Sequence, residues 1–145
     1  MSASRTPELD LYIDGASRGN PGEAGFGVHA TAREQTVAEL YGYLGRASNN
    51  VAEYRALIGG LEYALSTGAR RVRVFSDSEL VVRQVNGQYR VKHPDMVPLH
   101  RKARNLLARF DEARVSHVPR ERNRAADALA NRAVDERGSN WPPIG

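Results

Sequence analysis

The chain contains no cysteine, which excludes disulfides and thiolate metal centres. Its four histidines, His29, His93, His100 and His117, lack the i, i+4 spacing of a zinc-binding helix. No apolar run approaches the roughly 18 residues that a membrane-spanning helix needs. The opening residues MSASRTPE carry no apolar stretch of the kind a secretory leader requires. These absences lead to the expectation of a soluble, cytoplasmic protein with no membrane association. Lysine is also scarce, since 19 of the 21 basic residues are arginine.

What is present suits one globular domain. At 145 residues, with 41% apolar and 26% charged side chains, the chain can bury a proper core. The net charge is +4, but it is unevenly placed. Residues 70–124 hold 14 Lys and Arg against 6 Asp and Glu, while the rest of the chain holds 7 against 11. A focused positive field favours a polyanionic partner, although arginine spread over solvated helix faces would give the same count.

Residues 1–7 and 138–145 are expected to be flexible ends, the second because Gly and Pro punctuate GSNWPPIG. The span 8–137 is expected to form a single domain, with no repeat and no low-complexity tract. LDLYID, GFGVHATA and TVAELYGYL read as strands, separated by GASRGNPGEA and AREQ as turns. Such short connections suggest an antiparallel meander. In NNVAEYRALIGGLEYALSTG, Tyr54, Leu57, Ile58, Leu61 and Leu65 recur at helical spacing before a Gly68 stop, with an Asn cap at the start. RRVRVFSD reads as a strand and SELVVRQVN as a short helix. DMVPLHRKARNLLARF is a helix in which Pro98 must lie in the first turn. ARVSHVP is a strand, PRERN a basic loop and RAADALANRAVDE a closing helix. Strands separated by helices need crossover connections, so the order βββαβααβα predicts an α/β fold with a mixed sheet.

Four acids occupy strand ends or helix starts: Asp14 after LYI, Glu53 in the first turn of the long helix, Asp77 after VRVFS and Asp127 early in the last helix. Each has a local reading: Asp14 can open a turn, Glu53 can complete a capping box, Asp77 can cap a helix and Asp127 can offset a helix dipole, with Asn123 as that helix's cap. Together they admit another. Strand ends and helix starts at one sheet edge are where sites assemble. Clustered carboxylates repel unless cations neutralise them, and hard ions with oxygen ligands suit that task, Mg²⁺ above all.

The motifs IDGASRGNPGEAGFG, NNVAEYRAL, SDSELVV and NRAADALANRA occur in the order and spacing of ribonuclease H type 1, and the chain resembles that family from about Leu9 to Glu136. The resemblance implies an RNase H-like fold whose five-stranded mixed sheet has the order 3-2-1-4-5. It implies hydrolysis of the RNA strand of RNA/DNA hybrids with two Mg²⁺ or Mn²⁺ ions, leaving 5′-phosphate and 3′-hydroxyl ends. By motif, Asp14, Glu53, Asp77 and Asp127 match the catalytic carboxylates, with Asp14 bridging both ions. Gly15, Ser17, Asn20, Asn49, Asn50 and Glu79 match positions that touch the RNA strand or base edges. Asn20 and Ser48 match part of a pocket for a DNA phosphate.

Two departures from the family's common bacterial pattern are visible. No basic helix and loop is inserted between SELVVRQVNGQYR and DMVPLHRKAR, so weaker or more salt-sensitive binding is expected. The loop HVPRERN lacks the histidine that assists product release in those relatives, and Arg120 is the expected stand-in. His117 falls in the strand and is expected to be structural. Hybrid is the expected partner of a monomer that needs no other protein. Two further readings remain open at this point: a non-catalytic hybrid-binding module, and a resolvase or transposase-type nuclease acting on DNA.

Overall fold

The computed structural model describes residues 8–142. Five strands form one sheet: β1 (Glu8–Arg18), β2 (Gly22–Ala32), β3 (Gln35–Ala47), β4 (Arg71–Ser76) and β5 (Glu112–His117). Their order is β3-β2-β1-β4-β5, the first three antiparallel and β4 and β5 parallel to β1, as the resemblance implies. The helices are α1 (Asn49–Ser66), α2 (Glu79–Val85), α3 (Val97–Leu107) and α4 (Arg124–Glu136). None of the described helices is long and apolar enough to cross a membrane.

Alternation within the strands decides which helix covers which face. Leu9, Leu11 and Ile13 of β1 pair in register with Val72, Val74 and Ser76 of β4, and all six are buried on the side taken by α1. Tyr54, Leu57, Ile58 and Leu61 of α1 fill that layer, and the Tyr54 hydroxyl donates to Gln84 Oε1 of α2 at 2.7 Å. The opposite face carries Asp10, Tyr12 and Asp14. There α4 lies over β2 so closely that a Cβ at Gly27 would collide with Ala126 O and Ala130 N.

Several local expectations are corrected. GASR, expected in a turn, belongs to β1, because Gly15 to Arg18 continue to pair with Phe26 to Glu23. The cap of α1 is Ser48, whose Oγ accepts from Val51 N at 3.1 Å, rather than an asparagine. Glu53 consequently sits two residues past the capping-box position and outside the first turn, and is buried. Ser78, not Asp77, caps α2. PRERN contains a 3-10 turn at Arg120–Arg122. Pro98 does lie in the first turn of α3. The 86–96 connection between α2 and α3 contains no further helix.

The described part of the C-terminal tail, expected to be flexible, is fastened to the outer strand. Asn140 Oδ1 accepts from Tyr41 N at 2.7 Å, Ser139 Oγ accepts from Tyr43 N at 2.8 Å, and Trp141 meets Tyr63 edge-on at 5.6 Å. These bonds satisfy backbone groups that an edge strand would otherwise present to other chains. Residues 1–7 lie outside the described residues.

Candidate active site

Parallel pairing of β1 with β4 brings the residues after Ile13 and Ser76 side by side, so Asp14 and Asp77 emerge together. α1 reaches them because Gly15 has no side chain: a Cβ there would collide with Glu53 N and the Ala52 backbone. Ligand oxygens of Asp14, Glu53 and Asp77 all lie within 4.8 Å of one another. Asp127, on the first turn of α4, lines the same cleft and lies near enough to Asp14 to raise its carboxyl.

The four acids line one polar cleft of about 240 Å³, shared with Gly15, Ala16, Ser17, Asn49, Arg120 and Asn131. A larger depression of about 590 Å³ opens on the sheet face beside Tyr12 and Phe75. Its inner acid, Asp10, is already held by Arg73 at 2.8 and 2.9 Å, so the smaller cleft carries the reactive groups.

Asp14 and Glu53 form the floor, at 7% and 6% exposure. Burial first, then repulsion from Asp77, a hydrogen bond to Asp127 that only the protonated acid can make, and the charges of Glu53 and Asp127, push the Asp14 carboxyl up to about 9. Burial also raises Glu53 to about 7, with Ser78 and Arg120 pulling the other way. Glu53 Oε2 is buried with no hydrogen-bond partner. Such an atom is costly unless something positive meets it. The donor set consists of carboxylate oxygens alone, which suits a hard divalent ion and disfavours zinc or copper.

Of the remaining expected residues, Gly15, Ser17, Asn49 and Arg120 stand in the cleft. Asn20 lies beside it, its Oδ1 accepting from Asn49 N at 3.0 Å. Ser48 and Asn50 flank Asn49 at the start of α1. Glu79 opens α2 outside the cleft, in an ion pair with Arg83 at 2.9 Å. His117, at the end of β5, is exposed.

Sequence reasoning missed two asparagines. Asn131 Oδ1 accepts from Arg18 Nη2 at 3.2 Å, and its Nδ2 donates to Asp127 O and Oδ1 at 3.0 and 3.3 Å. Because guanidinium only donates, this orientation of the amide is fixed. The signal was its place four residues after Asp127, on the same helix face. Asn123, read as a cap, makes no capping bond with its side chain.

Residues 12–133 match the family model described as "Reverse transcriptase-like". The chain is 52% identical over 127 residues to the bifunctional protein Rv2228c of Mycobacterium tuberculosis, a match spanning 86% of this chain and 35% of that one. It thus covers about a third of the length of its mycobacterial relatives. It is 46% identical over 137 residues to ribonuclease HI of Halobacterium salinarum, covering 94% of this chain and 69% of the relative. The crystal structure of LC11-RNase H1 in complex with RNA/DNA hybrid superposes with a TM-score of 0.85 at 41% identity, over 89% of this chain and 98% of that one. Sheet order, acid cluster and these likenesses agree, and the chain belongs to the type 1 ribonuclease H family.

Proposed function

We propose that the protein is an endoribonuclease that hydrolyses the RNA strand of RNA/DNA hybrids, leaving 5′-phosphate and 3′-hydroxyl ends. The observation that carries this reading is the meeting of Asp14, Glu53 and Asp77 within 4.8 Å, two of them buried, with Asp127 in the same cleft. A relative of the same fold is described in complex with such a hybrid.

Asp14, Glu53, Asp77 and Asp127 would hold two Mg²⁺ or Mn²⁺ ions. When bound, these supply an activated water and charge neutralisation at the scissile phosphate and the leaving oxygen. The chain's own residues do the rest. Asp14 and Glu53, held on the central strand and on α1, keep their buried oxygens fixed. Asp127, exposed on α4, would serve the side of the attacking water. Arg120 offers a guanidinium that can grip a phosphate bidentately beside Glu53. Gly15, Ser17, Asn20, Ser48 and Asn49 supply small and amide surfaces suited to a minor groove lined with 2′-hydroxyls. Glu79 and Asn50 border this surface. Tyr89, 47% exposed with the Arg83 guanidinium 5.4 Å from its ring centre, adds an aromatic contact near Arg90 and Lys92.

The test is direct. Labelled RNA/DNA hybrid, double-stranded RNA and double-stranded DNA are incubated with Mg²⁺, Mn²⁺ or chelator. The expected result is cleavage of the RNA strand of the hybrid, dependent on metal; intact hybrid in both metals would reduce the protein to a binding module.

A further inference from the structure

Asn123 is 1% exposed and occupies the N-cap of α4, yet its side chain makes no bond to that helix. An N-cap asparagine ordinarily accepts from the N–H of the second or third helical residue. Here the side chain turns away and Nδ2 donates to Ile13 O, 110 residues distant, at 2.8 Å. Ile13 immediately precedes Asp14. The same Nδ2 lies 3.5 Å from Asp77 Oδ2, and the backbone carbonyl of Asn123 accepts from Asp127 N at 3.1 Å. Both side-chain partners are acceptors, so the amide nitrogen must face them. Three carboxylate-bearing segments, the middle of β1, the end of β4 and the start of α4, therefore meet at one buried residue.

We propose that Asn123 is a positioning residue that fixes the spacing of Asp14, Asp77 and Asp127 and so sets how tightly divalent ions are held; this rests on the hydrolytic reading of the cleft. The residue does not touch the reacting atoms. It acts through the β1 backbone that aims Asp14 and through the carboxylate of Asp77. An aspartate in its place would set an acceptor against a carbonyl and a carboxylate and add charge to an acidic site. Alanine would remove the donor and leave Ile13 O without its partner.

The experiment compares wild type with Asn123→Ala, Asn123→Asp and the core truncation Val85→Ala, which is remote in chemistry from the cleft and controls for lost stability. Turnover and KM for hybrid cleavage are measured over a Mg²⁺ titration, and Mn²⁺ binding to the free protein by calorimetry, at temperatures where unfolding scans show each variant folded. For Asn123→Ala the expected outcome is turnover lowered at least tenfold, KM within about twofold of wild type, and both half-saturating Mg²⁺ and the dissociation constant for Mn²⁺ raised at least fivefold. Asn123→Asp should be no better than alanine, and Val85→Ala should keep wild-type metal dependence. Unchanged metal binding in Asn123→Ala, or the same changes in Val85→Ala, overturns the proposal. Should Asn123→Ala fail to fold, Asn123→Asp alone decides by the same criteria. Wild type that cleaves no hybrid would sink the hydrolytic reading, and the Mn²⁺ comparison would still judge Asn123.

Discussion

At the scale of single residues, the site holds carboxyls that burial, and then mutual repulsion, disfavour in their charged form. Without metal, the Asp14 carboxyl titrates at about 9 and that of Glu53 at about 7, both above their ordinary values. A carboxyl with a raised folded pKa favours the folded state most below its unfolded value, about 4, and that contribution is lost as pH rises through the folded value. Metal-free protein should therefore lose Tm between about pH 5 and pH 9, and Mg²⁺ should restore it. Asp14→Asn removes the larger of the two effects. It should raise Tm in chelator at pH 8 by about 5 °C, flatten the pH profile and cut hybrid cleavage at least ~10³-fold. Unfolding scans with and without chelator check the stability half of this; a mutant less stable than wild type at pH 8 would contradict it. Arg120→Ala should lower cleavage about 10-fold with Tm unchanged, because its guanidinium is exposed and forms no ion pair among the described residues. Asp14, Asp77 and Asp127 were legible because each closes an apolar run or lies in the first turn of a helix, and Glu53 through the NNVAEY motif around it. Asn123 and Asn131 were not, since an asparagine ahead of a helix reads locally as a cap and one within a helix reads as solvated surface. The Ile13 carbonyl that Asn123 meets, 110 residues away, is supplied only by folding.

At the scale of elements, two glycines set the distances between the acids. Gly15 lets α1 approach β1, and Gly27 lets α4 approach β2. Gly27→Ala would drive a methyl into the α4 backbone, and relief requires the helix carrying Asp127 to move. The expected cost is about 3 kcal/mol, with a large loss of activity even at temperatures where the variant is folded. Thermal unfolding and hybrid cleavage measured together check it; full activity would show that α4 has slack. Strand and helix types were readable from periodicity, including the βββαβααβα order. The far half of the first hairpin was not. Gly-Ala-Ser-Arg has no β-branched or aromatic residue to mark a strand, and only its pairing with Glu23 to Phe26 makes it one. The bonds of Ser139 and Asn140 were likewise not legible, because Gly and Pro signal a chain end but not the edge strand that receives these two side chains.

At the scale of the whole molecule, the basic stretch counted from sequence is smaller in effect than in number. Arg70, Arg73, Arg83 and Lys102 are tied to Asp111, Asp10, Glu79 and Glu62. Among the described residues, Arg90 and Lys92 on the α2–α3 connection and Arg120, Arg122 and Arg124 ahead of and at the start of α4 form no ion pair, which leaves them for phosphates. Each phosphate contact contributes about 0.7 to 0.9 to the slope of log affinity against log salt, so five would weaken hybrid binding roughly 10²- to 10³-fold between about 50 and 200 mM salt. Lys92 is the cleanest probe, being exposed and outside the cleft. Lys92→Ala should lower that slope by about 1 and raise KM at moderate salt, with turnover unchanged. Binding and cleavage measured across a salt series decide it: an unchanged slope would place the grip on hybrid elsewhere, leaving Arg120, Arg122 and Arg124 to carry it from the catalytic side.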